Sequence, residues 1–125
     1  MRKTSFLISV SLVSGILASA QDDAQYQAWM KSIPPTLGAI RNAPDNNAVT
    51  GDATKLADTF DQVTAFWKAR NAGDAVKLAE TAANASRAIT AGSGEKAANV
   101  QKIQGTCGGC RSVHREGSAG NFKIK

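Results

Sequence analysis

The residues of this 125-residue chain best suited to chemistry lie together near its C-terminus, in the segment GTCGGCRSVHREG. The segment contains both cysteines of the chain, Cys107 and Cys110, and its only histidine, His114. Two cysteines at this spacing serve in four kinds of site: a zinc centre, a redox-active dithiol, a structural disulfide, or covalent attachment of haem through thioethers. An enzyme is not expected, because the sequence offers no nucleophile–base pair and no phosphate-binding loop.

The four kinds of site have different requirements, and the sequence satisfies them to different extents. A closed zinc site needs four ligands, and His114 is the only histidine that could join the two thiols. A thioredoxin-type dithiol accompanies a βαβ unit, for which there is no signal. A disulfide that closes so small a loop adds little stability. Covalent haem attachment usually places the iron-binding histidine directly after the second cysteine, where this chain has Arg111.

Arg111 cannot bind iron, because its guanidinium stays protonated and has no free lone pair. His114 lies one helical turn further along, on the same face as the cysteines, and is therefore the candidate metal ligand. The alternative is that His114 is a buried or half-exposed histidine that binds nothing.

Four helices are predicted to position this segment. Asp22 or Asp23 is expected to cap the first helix, which runs towards Ala43 and is kinked or restarted at Pro34-Pro35. Its apolar residues recur every three or four positions and form one face: Tyr26, Met30, Ile33, Leu37 and Ile40. The Asn- and Asp-rich stretch 44–51 is predicted to be a loop.

The remaining three helices follow without any strand signal. Asp52 is expected to cap the second helix and Asp74 the third, which Gly92 closes. The fourth opens near Ser93, and its inward seam carries the chemistry: Val100, Ile103, Cys107, Cys110 and His114. Four amphipathic helices with short connections predict an all-α fold, an antiparallel four-helix bundle.

Residues 1–20 are predicted to be a cleaved signal peptide, with a basic start, a short apolar run and the small-residue pattern Ala18-Ser19-Ala20. The domain is then 21–125, and removal of two basic residues reduces the net charge of +5 to +3. Export predicts a periplasmic or secreted protein with no membrane span after cleavage. Nucleic acid is not an expected partner, because the basic residues lack interleaved aromatics.

These features together resemble a class II c-type cytochrome of the cytochrome c-prime kind, over the whole mature chain. The segment QYQAWMKSIPPTLGAIRNA is similar to that family's first helix, and the C-terminal CGGC lies where the family attaches haem. The resemblance implies haem c held by Cys107 and Cys110, with Met30, or Trp29 beside it, on the distal face. It also implies electron transfer or small-gas binding, periplasmic redox partner proteins, and pairing of two copies as a homodimer.

The haem interpretation makes His114 the candidate proximal ligand and predicts that the pocket walls include Ile33, Phe60, Trp67 and Ala82. Three explanations of Arg111 follow: His114 has taken over as ligand, the iron is bound differently with a contribution from Met30, or the chain is a degenerate member that keeps the bundle without haem. In the last case the two cysteines form a disulfide or an exposed dithiol.

Overall fold

The computed structural model describes residues 15–116 and 123–124, with side chains for 23–45, 47–116 and 123–124. Its four helices are α1 (Gly15–Asn42), α2 (Asn46–Ala69), α3 (Gly73–Ala91) and α4 (Lys96–His114). Two short strands follow, β1 (Arg115–Glu116) and β2 (Lys123–Ile124). The predicted all-α four-helix fold is confirmed.

Helix α1 differs from its predicted form at its start and at its prolines. It begins at Gly15, so the prediction that Asp22 or Asp23 caps it is wrong. Asp23 instead accepts a hydrogen bond from Arg70 at the end of α2, at 3.1 Å. The helix also continues through Pro34-Pro35, so a restart there is wrong, whereas the expected kink stays a prediction. The predicted signal peptide falls mainly on residues 1–14, which lie outside the described residues, and stays a prediction.

Helix α2 begins two turns earlier than predicted. Its N-cap is Asp45, whose side chain accepts a hydrogen bond from the backbone N–H of Ala48 at 2.9 Å, so the predicted loop over 44–51 and cap at Asp52 are wrong. The extra turns bury Val49, which is 4% exposed, on the same side as Ala53, which is fully buried in the next turn. Burial of this apolar face stabilises helical backbone that the Asn-rich sequence does not favour by itself.

Helices α3 and α4 lie close to their predicted positions. Gly92 ends α3 in the left-handed conformation, with φ of 69°, as expected of a C-terminal glycine. Asp74 lies within the first turn of α3, and Ala72 occupies the N-cap position. The prediction that Asp74 is the cap is therefore wrong by two residues.

Two groups of buried side chains form the interior. The central core includes residues of all four helices, such as Ile40, Leu56, Ala82 and Ile103. The aromatic cluster contains Tyr26, Val63, Phe66, Trp67, Ala75 and Ala79. Helices α2 and α3 pack most extensively, whereas α1 and α4 make few contacts with each other. Space therefore remains between α1 and α4, in front of the CGGC segment.

The chain end adds a feature that the sequence did not predict. Strand β1 pairs antiparallel with β2, with Arg115 opposite Ile124 and Glu116 opposite Lys123. The ribbon brings Ile124 against the aromatic cluster. Among the described residues, no helix has the length and apolar character needed to cross a membrane.

Candidate functional site

Helix α4 presents both thiols to the interior from one face. Cys107 packs against the central core and Cys110 against the aromatic cluster, and both side chains are half-buried free thiols. Their spacing of three residues places them one turn apart on the same side of the helix. The prediction that the seam of α4 turns these two residues inward is confirmed.

A small cavity of about 40 Å³ lies directly beside the two thiols. All four helices contribute to its wall: Met30 from α1, Phe60 from α2, Leu78 from α3, and both cysteines from α4. We call this space the thiol cavity. Its lining is almost wholly apolar, and among the residues that the structure describes Arg111 is the only charged one along it.

A larger cleft of about 710 Å³ opens between α1 and the end of α4. It shares Tyr26, Met30, Cys110 and Arg111 with the thiol cavity, so the two spaces adjoin. Four basic residues line this basic cleft, and no acidic residue of the described chain does: Lys31, Arg111, Arg115 and Lys123. The C-terminal tail therefore contributes to a concave cationic surface, because the β-ribbon folds it back onto the bundle.

The environment of the thiols favours their protonated form. Burial raises the pKa of Cys107, and Arg111 opposes this shift. Burial also raises the pKa of Cys110, while a hydrogen bond from the Tyr26 hydroxyl has the opposite effect. A thiolate in a low-dielectric setting loses its hydration, and one nearby cation compensates only in part. Both groups are therefore weak nucleophiles at neutral pH.

Tyr26 is the site residue that sequence reasoning missed. Its ring is stacked on Phe66 at a centroid distance of 4.6 Å, and its hydroxyl lies near enough to the Cys110 sulfur to favour the thiolate. The pKa of this phenol is raised well above its usual value, mainly by burial and to a smaller extent by the nearby Cys110. The available signal was its position four residues before Met30 on the apolar face of α1.

The indole nitrogen of Trp67 is a buried polar atom without a hydrogen-bond partner among the described residues. Its Nε1 has no partner of normal hydrogen-bond geometry among the described residues, although it is near enough to the Tyr26 oxygen to favour the phenolate. This buried N–H is therefore unsatisfied. Trp67 is 2% exposed, and the orphaned donor therefore reduces the stability of the aromatic cluster.

His114 is held by contacts with α2 and α3. Its Nε2 is 2.8 Å from Oδ2 of Asp74, and its ring lies 4.6 Å from that of Trp67. The hydrogen bond with His114 is the main reason that the pKa of Asp74 is lowered. His114 lines the basic cleft but not the thiol cavity.

The other predicted positions divide between the site and the interior. Met30 lines both spaces, and Phe60 lines the thiol cavity. Trp29 is half-buried against the aromatic cluster. The three remaining predicted pocket walls line neither space and are buried in the interior: Ile33, Trp67 and Ala82.

The donor atoms do not converge as a zinc site requires. Within the described part of the chain, no three His, Cys, Asp or Glu side chains come close enough to hold one metal ion. The described structure therefore has no common metal centre made of Cys107, Cys110 and His114. Haem attachment does not require one, because the two cysteines bond to the edge of the porphyrin and not to the iron. The role of His114 as a metal ligand stays a prediction.

Comparisons with known proteins return no match to a family model, a curated protein or a solved structure.

Proposed function

We propose that this chain is a c-type haem protein that acts in electron transfer. The observation that carries the proposal is the pair of thiols on α4, which adjoins both an apolar cavity and a larger basic cleft. Thioether attachment needs two free cysteine thiols on one helical face beside a space that admits a flat apolar ring. These requirements match Cys107, Cys110 and the gap between α1 and α4.

The residues around the gap fit the polarity of haem. Its macrocycle is apolar, while its two propionates are anionic. Phe60, Val63 and Leu78 offer an apolar wall beside the thiols. Lys31 and Arg111, at the basic cleft, are suited to hold the carboxylates, since arginine and lysine pair with such groups. The cleft volume of about 710 Å³ lies within the range of small-molecule sites.

His114 is the candidate iron ligand, and its surroundings suit that role. Histidines that bind metals commonly give their other ring N–H to a carboxylate, which orients the ring and raises its basicity. Asp74 occupies such a position at Nε2, and a proton held there leaves Nδ1 with the lone pair. Met30, which faces the same space from α1, is suited to pack on the opposite side of the ring.

Bound haem would supply a one-electron Fe(III)/Fe(II) couple. The chain's apolar cavity wall keeps water away from such a group, which raises the reduction potential by disfavouring the more charged iron state. The cations at the cleft rim attract acidic surfaces, so the expected partners are periplasmic redox proteins with acidic faces. Export to the periplasm, and pairing of two copies, belong to the same proposal.

The test is an absorption spectrum with a pyridine haemochrome assay, on protein exported in a host whose haem-attachment system is active. We expect a thioether-type α-band that remains with the chain after acid–acetone extraction. Cys107→Ser and Cys110→Ser each should lose one thioether and shift the band, whereas Ser112→Ala, an exposed change on the same helix, should not. A colourless, helical product would refute the proposal.

A second candidate is a haemless bundle whose cysteines form a dithiol or a disulfide. It is favoured by the contacts of His114, which already engage its ring through Asp74 and Trp67, and by Arg111 in the usual ligand position. Alkylation before and after reduction distinguishes the two candidates. A haemless chain adds two alkyl groups after reduction, whereas a thioether-linked chain adds none.

A further inference from the structure

Three sulfur-containing residues from two helices line the thiol cavity. Cys107 and Cys110 reach it from α4, and Met30 reaches it from α1 on the facing side. Met30 packs against both the central core, which Cys107 contacts, and the aromatic cluster, which Cys110 contacts. The sequence has two methionines, Met1 and Met30, and Met30 lies beside both of its cysteines.

We propose that Cys107, Cys110 and Met30 form a three-coordinate Cu(I) site in chains whose cysteines carry no haem. Thiolate and thioether sulfurs are soft ligands and select Cu(I) among the biological metals. The cavity of about 40 Å³ exceeds the roughly 10–15 Å³ needed for a single water, so it has room for one ion without opening the core.

Zinc is a poorer match to the same donors. Zn²⁺ in proteins is usually four-coordinate and is bound by cysteine, histidine or carboxylate, none of which supplies a third ligand here. Among the described residues, no third His, Cys, Asp or Glu joins the two thiols. A thioether as third donor therefore favours Cu(I) over Zn²⁺.

The charges of the site balance with Cu(I). Binding replaces the two S–H protons with one Cu⁺, releases two protons to solvent, and leaves a complex of net charge −1 without any redox change. Arg111, which lies along the same cavity, brings the local charge to zero. A divalent ion in this place would leave Arg111 as an uncompensated positive charge.

The surroundings of the sulfurs also suit a bound Cu⁺. Tyr26 lines the same cavity as Cys110, and its hydroxyl is near enough to donate to the thiolate sulfur. Phe60, Val63 and Leu78 form an apolar wall beside the sulfurs, which reduces the amount of water on that side of the ion. The absence of a side chain at Gly109 leaves room for Leu78 of α3, because a Cβ added at Gly109 would lie 3.4 Å from the Leu78 side chain.

The test uses the full chain, purified with reduced thiols from a host without haem-attachment proteins. Cu(I) is titrated under anaerobic conditions in competition with bicinchoninate, and copper K-edge X-ray absorption counts the sulfur ligands. We expect one Cu(I) per chain with three sulfurs. Met30→Leu, which preserves volume, should weaken binding roughly 10- to 100-fold and reduce the count to two sulfurs. The matched change Ile33→Leu, in the neighbouring core, should alter neither.

Three results would overturn the inference. They are failure of the folded chain to compete with bicinchoninate, a two-sulfur spectrum that Met30→Leu leaves unchanged, and stronger binding of Zn²⁺ than of Cu(I). Circular dichroism of Met30→Leu shows whether that variant is folded, and Met30→Ile serves if it is not. The inference does not rest on the haem proposal: haem attachment consumes the thiols, so each can fail while the other holds.

Discussion

Removal of the Tyr26 hydroxyl should make Cys110 less reactive. The Tyr26→Phe change keeps the ring that stacks on Phe66 and deletes only the hydroxyl, which lies near enough to the Cys110 sulfur to donate a hydrogen bond to the thiolate. That bond favours the thiolate over the thiol, because a donor stabilises the charged sulfur. The variant is therefore expected to hold a smaller fraction of Cys110 as thiolate.

The size of the effect follows from the strength of one hydrogen bond. A hydrogen bond contributes about 1 kcal/mol net, and 1.4 kcal/mol corresponds to a factor of ten in an equilibrium constant, so the thiolate population should fall about fivefold. Since burial keeps the pKa of Cys110 above its usual value, the thiolate is a minor species at neutral pH. The alkylation rate is then proportional to its population and should also fall about fivefold.

The assay is iodoacetamide alkylation at pH 7, followed by mass spectrometry, in chains that retain a single cysteine. In the Cys107→Ser background, Tyr26→Phe should slow modification of Cys110. In the Cys110→Ser background, the same change should leave the rate at Cys107 within twofold. An unchanged or faster rate at Cys110, or an equal loss at both cysteines, would refute the role given to the Tyr26 hydroxyl.

Three further predictions concern the fold that holds the site. Because the pKa of Asp74 is lowered, its carboxylate stabilises the folded chain above its ordinary pKa of 3.8, and this contribution is lost as the pH falls through the lower folded value. In urea unfolding, the Asp74→Asn variant should be less stable than the parent chain at pH 7, and the two free energies of unfolding should converge at acid pH. A difference that stays constant with pH would contradict the pairing with His114. Asp45→Ala should reduce the free energy of unfolding by about 0.5–2 kcal/mol, whereas a larger loss from Asp52→Ala would place the helix start where the sequence suggested. Ile103→Ala, at a fully buried position, should cost about 2–5 kcal/mol, and the exposed Val113→Ala should cost less than about 0.5 kcal/mol.

The sequence predicted the helices better than it predicted their first residues. The apolar periodicity of each segment reflects one buried face, which local spacing reveals directly. The start of α2 could not be found this way, because Asn46-Asn47 favours a loop while Val49 and Ala53 gain their burial from distant parts of the chain. Tertiary packing here overrides local propensity.

The candidate site was predictable in its cysteines but not in its surroundings. The spacing of Cys107 and Cys110 places them on one helical face in any straight helix. The partner of His114 is Asp74, which lies 40 residues away in the sequence, and no local pattern relates the two. Likewise, Lys123 reaches the basic cleft only because the tail pairs with β1, in a ribbon too short to leave a strand signal.

The central claim, that haem is attached through Cys107 and Cys110, is tested most directly by mass spectrometry of the exported chain after denaturation. The account predicts a mass increased by one haem, retained after proteolysis on the peptide that contains both cysteines. It also predicts that a Cys107→Ser, Cys110→Ser double variant lacks this increase. A chain of unmodified mass, whose CGGC peptide carries two alkylatable thiols or one disulfide, would contradict the account.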